Sequence, residues 1–230
     1  MQAKQFVVAV EPEKLTRLND VVKRYSDAED EWLKQARKVA RLSSLRGPDA
    51  SAARQQIRLQ RSELRARGEL RGTRDLVIAY EVRAVLRARK MDENWNPIPP
   101  RDVGTVGRPF GASADRYPRT DEDEPALKAR MPVRLPAELG EQVVRGCYWT
   151  SAPAVQALKA WQRRWGDGPV VILREAQRQH AEGLGMALAT ILAGMAPRAT
   201  REALEERTAL QDQVITSGDL IREAVDRAIR

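Results

Sequence analysis

Leu127 to Leu135 alternates without a fault, with Leu127, Ala129, Met131, Val133 and Leu135 on one side and Lys128, Arg130, Pro132 and Arg134 on the other. Period-two alternation marks a strand with one buried and one solvated face. Such a strand cannot stand alone, because its apolar face and its row of backbone N–H and C=O groups both need a neighbour. A second copy of the same strand would meet that need, which predicts a homodimer. Gln5 to Val10, the other short strand-like run, is the partner available within the chain.

The remaining pattern is helical. Pro12 stands at a first-turn position, where its missing N–H costs nothing. From there Leu15, Leu18, Val22, Tyr25, Trp32, Ala36 and Val39 recur at alternating spacings of three and four, with Glu29 the one break in a coiled-coil-like seam. A turn at Ser43 to Asp49 leads into a second helix from about Ala50 to Glu69. Gly68 and Gly72 mark the next break, and a third helix follows from about Thr73 to Met91, with Ile78, Val82, Val85 and Leu86 facing inward. Prolines at 97, 99, 100, 109, 118 and 125 then signal a linker or long loop. The expected architecture is mainly α: a short strand and basic helical hairpin at 1–91, a Pro/Gly-rich linker with an acidic tract at 92–125, and a strand-helix-helix and helical region at 126–230.

Charge narrows the partner. Residues 31 to 90 hold sixteen Lys or Arg against six Asp or Glu, an excess above the formal +8 of the whole chain. Concentrated positive charge on a predicted hairpin points to a polyanion, first of all nucleic acid. Only eight of the 40 cations are lysine, and guanidinium forks grip phosphates and guanine edges in two-pronged fashion. A GC-rich coding sequence would also raise the arginine count, so only patterned arginines are informative. Arg54, Arg58, Arg61 and Arg65 fall at i, i+4, i+7 and i+11 on the second helix, and Tyr80, Arg83, Arg87 and Lys90 repeat the arrangement on the third. Few acids lie within reach of the first row along its own helix, which leaves its repulsion unrelieved unless a partner supplies anions.

The two-faced strand, followed at once by Pro136-Ala137-Glu138-Leu139 opening a helix, resembles the ribbon-helix-helix family of DNA-binding proteins. The resemblance covers about residues 127–165. It implies that the strand pairs with its twin in a dimer and that Lys128, Arg130 and Arg134 face the major groove. It further implies that Thr150 or Ser151 caps a second helix whose amides hold a phosphate. Gly146, the short distance to Ser151, and Pro132 depart from that family's pattern; Pro132 fits only if its nitrogen points away from the partner strand. Thr216 to Val225 looks like a second helix of the same kind, or a terminal packing helix capped by Ser217. The hairpin with Gly146-Cys147-Tyr148-Trp149 is also a little similar to the recognition region of compact RNA-guided nucleases of the transposon type, whose acidic nuclease domain and zinc ribbon this sequence lacks.

Other features argue against catalysis. His180 is the only histidine and Cys147 the only cysteine, so no His-Cys metal cage or Cys-His dyad can form within one chain, and no metal or cofactor is expected. Gly183-Leu184-Gly185 lacks the strand and third glycine of a dinucleotide loop. Gly107-Arg108-Pro109 matches the core of an AT-hook without its second arginine, and Asp121 to Glu124 reads as a solvated acidic run or a phosphate mimic. Trp161 and Trp165, one turn apart, suit a core or dimer interface better than a base-stacking platform. The longest apolar stretch, near Met186 to Met195, is too short to span a bilayer, and a single cysteine fits a reducing cytoplasm. The expectation is a cytoplasmic, non-catalytic, dimeric DNA-binding regulator or accessory factor of a mobile element or phage, with duplex DNA ahead of RNA. The alternatives are a helical assembly protein and the recognition part of an RNA-guided nuclease-like system.

Overall fold

A computed structural model of the chain describes residues 3–100, 129–166, 168 and 198–230. It is mainly α, with six helices and two strands among those residues. They are β1 (Ala3–Val10), α1 (Pro12–Val39), α2 (Gly47–Arg67), α3 (Arg74–Ala88), β2 (Ala129–Pro136), α4 (Ala137–Trp165), α5 (Arg198–Asp212) and α6 (Ser217–Ala228). The chain forms two compact units. One joins Met1–Arg89, Ala129–Gly140 and Ile221–Arg230, and the other joins Lys90–Lys128 and Glu141–Leu220.

In the first unit β2 finds its partner in β1 of the same chain. The two run antiparallel from Ala3 opposite Pro136 to Val10 opposite Ala129. The alternation read from sequence sets the faces: Met131, Val133 and Leu135 are buried while Arg130, Pro132 and Arg134 are exposed. α3 and α1 pack on this strand and bring Val77, Ile78, Val82, Val85, Leu86, Leu18 and Val21 into the core. Thr73 caps α3 by accepting from the Leu76 N–H, as a threonine before a helix should. The last turns of α6 are tied in by polar contacts, Lys14 Nζ to Asp226 at 3.0 Å and Arg89 Nε to Glu223 at 2.6 Å.

The second unit corrects the strand-helix-helix expectation. Residues 137 to 165 form one helix of 29 residues, running through Gly146, Ser151 and the internal Pro153. Tertiary packing outweighs the local breakers. A Cβ at Gly146 would sit 3.1 Å from Met91 Cε and 3.2 Å from Trp95 Nε1, so the glycine permits the 91–96 segment to lie against the helix. Trp149 Nε1 donates to the Asn96 carbonyl at 2.8 Å on the same side. Ser151 is therefore no N-cap, and no helix N-terminus stands there to offer amides. Its buried hydroxyl accepts from the Ile215 N–H at 2.8 Å and donates to the Ile215 carbonyl at 3.1 Å. Ser151→Ala is expected to cost about 1 to 3 kcal/mol, because both backbone groups of Ile215 lose their partner. Urea titration measures this, and unchanged stability would contradict the assignment.

Trp161 is core, as its spacing suggested. It is 2% exposed and its Nε1 donates to the Ala203 carbonyl of α5 at 2.8 Å. α6 is capped by Thr216 rather than Ser217: the Thr216 hydroxyl accepts from the Asp219 N–H, and the Asp219 carboxylate accepts from the Thr216 N–H at 2.8 Å. Among the described residues no helix is long and apolar enough to cross a membrane. Lys128, Gly107-Arg108-Pro109, Asp121 to Glu124, His180 and the Met186 to Met195 stretch lie outside the described residues.

Candidate nucleic-acid interface

The structure divides the arginine row of α2 into two halves with different roles. Glu29, the one acid in the α1 seam, is 2% exposed and faces the C-terminal half of that row. Its Oε1 accepts from Arg61 Nε at 2.6 Å and from Arg65 at 2.9 Å (Nε) and 2.5 Å (Nη2), and its Oε2 accepts from the Gly72 N–H at 2.9 Å. A Cβ at position 72 would lie 2.6 Å from that oxygen, so only glycine brings its amide so close. Burial alone would raise the Glu29 carboxyl, but the donors Arg65, Gly72 and Arg61 outweigh it and hold the group below its ordinary value of 4.5. Arg61 and Arg65 thus join α2 and the loop after it to α1. A break in an apolar seam was the only sequence sign of this clamp.

The N-terminal half of the row makes no such contact among the described residues. Arg54 and Arg58 are exposed and have no hydrogen-bond or ion-pair partner among the described residues. Near them the end of α1 and the turn that follows add Arg37, Lys38, Arg41 and Arg46, all exposed, so residues 37 to 58 hold six cations against one acid, Asp49. Arg46 is tied to the turn through the Ser43 and Leu45 carbonyls, each at 3.2 Å. The other five side chains have no partner among the described residues. Three of them, Arg37, Arg54 and Arg58, line a groove of about 530 Å³ between α1 and α2, together with Leu33, Leu42, Ile57 and Arg61. The helix end adds to this field only weakly, since the C-terminus of α1 carries partial negative charge that Arg37 and Lys38 already offset.

The α3 row is also divided. Arg83 and Arg87 are exposed, with Arg83 Nη1 donating to the Ala79 carbonyl at 3.4 Å, and Lys90 is exposed with φ of 55°. Tyr80, at the head of the row, already has a cation: the Arg71 guanidinium lies 4.1 Å from its ring centroid and 4.3 Å from that of Tyr25. That sandwich, with Glu81 at 3.5 Å from Arg71, removes Tyr80 from the free stacking surface.

Arg130 and Arg134 project from the solvent face of the sheet, opposite Ala9 and Gln5 of β1 respectively, and their side chains have no partner among the described residues. No group of three or more His, Cys, Asp or Glu able to hold a metal occurs among the described residues. Cys147 is buried. Comparison with protein-family models, curated proteins and solved structures gives no match for this chain.

Proposed function

We propose that this is a non-catalytic nucleic-acid-binding protein, acting as a regulator or accessory factor, whose α1–α2 turn region holds phosphates. The observation that carries the reading is the set of five exposed cations without partners among the described residues, Arg37, Lys38, Arg41, Arg54 and Arg58, on a hairpin whose Arg61 and Arg65 are held by Glu29. A fold that neutralises Arg61 and Arg65 internally and leaves their neighbours unneutralised presents the latter to an external anion. Arg130 and Arg134, on the solvent face of the sheet, are the proposed base-reading pair, with duplex DNA the preferred form. The ribbon-helix-helix likeness enters only through that basic strand face.

Salt dependence tests the proposal. With ~5 phosphate contacts, the logarithm of the binding constant should fall with the logarithm of salt at a slope of roughly −4 to −5. Fluorescence anisotropy with labelled duplex DNA measures it, and a slope near zero would remove the reading. One observation favours a second reading, an assembly role: the groove has an apolar floor of Leu33, Leu42 and Ile57, which an acidic amphipathic protein segment would cover. The absorbance ratio at 260 and 280 nm after low-salt purification separates the two, since only a nucleic-acid binder carries nucleotides with it.

A further inference from the structure

Among the described residues, the two-stranded sheet has one closed edge and one open edge. In an antiparallel ladder successive residues turn their backbone groups alternately toward and away from the partner. The Arg134 N–H donates to Asp75 Oδ1 at 3.0 Å, so Arg134, and with it Arg130, Pro132 and Pro136, turn away from β1. Both prolines therefore fall where a missing N–H costs no ladder bond and deprives the outer edge of donors. That edge is closed. On β1 the residues opposite these, Ala3, Gln5, Val7 and Ala9, turn away from β2. The Ala9 carbonyl accepts from Arg222 Nη1 at 3.2 Å. The backbone groups of Gln5 and Val7 have no partner among the described residues, and the Val7 side chain is 63% exposed.

We infer that β1 pairs with β1 of a second copy, antiparallel, to give a four-stranded sheet in the order β2-β1-β1-β2. The open edge is self-complementary. Setting Gln5 opposite Val7 of the other copy, with the two-fold axis at Phe6, gives all four outward groups of each strand a partner, and an isologous contact needs just that reciprocity. Charge permits it as well. The outward row Ala3, Gln5, Val7 and Ala9 carries no charge, so the two-fold opposes no like pair across the seam. Arg130 and Arg134 lie one strand further out on either side, more than about 14 Å from their counterparts, beyond a Debye length at physiological salt. Of the usual protections of an edge, β2 uses proline, at 132 and 136, whereas β1 has neither a proline nor a bulge, and its one lysine, Lys4, turns its backbone groups toward β2. This inference does not depend on nucleic-acid binding, though it would gather four guanidiniums on one sheet face.

Light scattering on the full chain, without nucleic acid, from about 1 to 100 µM tests it. The wild type should pass from monomer to dimer. Val7→Pro removes one outward donor and no ladder bond, so it should weaken association by about tenfold or more while leaving the far-ultraviolet circular dichroism and the thermal midpoint in place. Hydrogen exchange gives a second readout. The Gln5 and Val7 amides should be slowed as concentration rises, while those of Phe6 and Val8, which face β2, are protected throughout. A wild type that remains monomeric across this range overturns the inference. So does a dimer that Val7→Pro leaves intact with exchange at Gln5 and Val7 independent of concentration, because another face would then hold it together.

Discussion

Replacing Glu29 with alanine is expected to destabilise the protein by about 2 to 4 kcal/mol. Removing one partner from a buried ion pair typically costs about 3 to 5 kcal/mol. Here Arg61 and Arg65 are about a third exposed and regain some hydration, which lowers that figure. The Gly72 amide loses its acceptor in the same step. Guanidinium chloride titration should show the loss, and a change below about 1 kcal/mol would mean that the clamp contributes no more than a surface pair. The pH dependence has a definite sign. Because the folded carboxyl titrates below its ordinary 4.5, its stabilisation is present above that value and is lost as pH falls through the lower folded value. The stability difference between wild type and Glu29→Gln should therefore be full at pH 6 and shrink below about pH 4.5.

The second large effect concerns binding. Arg37, Arg54 and Arg58 changed together to glutamine should reduce affinity for DNA at low salt by about a hundredfold to a thousandfold. The salt slope should flatten by about 3, since each phosphate contact contributes roughly 0.9 to it. Their exposure and lack of internal partners predict little change in stability. The pair Arg61→Gln and Arg65→Gln should do the reverse, lowering the unfolding free energy while leaving the slope nearly as it was when measured on folded protein. Anisotropy titrations at several salt concentrations, run beside denaturation curves, separate the two sets. An unchanged slope in the first set, or an equal flattening in both, would show that position along α2 does not divide contact from support.

Much of the secondary structure was legible in periodicity. The faultless alternation before Pro136 became β2 with its expected faces, and Pro12 opened α1 at its first position. Features set by contacts distant in sequence were not. Glu29 looked like a defect because its meaning lies 32 and 36 positions away, at Arg61 and Arg65. The arginine row looked uniform because helical spacing records which residues share a face but not what that face meets. Gly146 and Ser151 suggested a helix boundary by local propensity, yet the 91–96 segment and Ile215 give each a packing partner within a continuous helix. Of the candidate site, the cationic class of the surface was readable, and the choice of which cations face outward was not.

The wide sequence separation of β1 and β2 imposes an order on synthesis. β1 leaves the ribosome well before its ladder partner, which follows only after α1, α2, α3 and the long segment behind them. Until then Phe6, Val8 and Val10 have no sheet to cover them, and the pairing must close a large loop at a cost that local helices do not bear. A nascent chain stalled before β2 would thus hold a formed helical hairpin beside a sticky, unpaired strand. Unpaired apolar strands of this kind are what makes partly synthesised chains prone to aggregate.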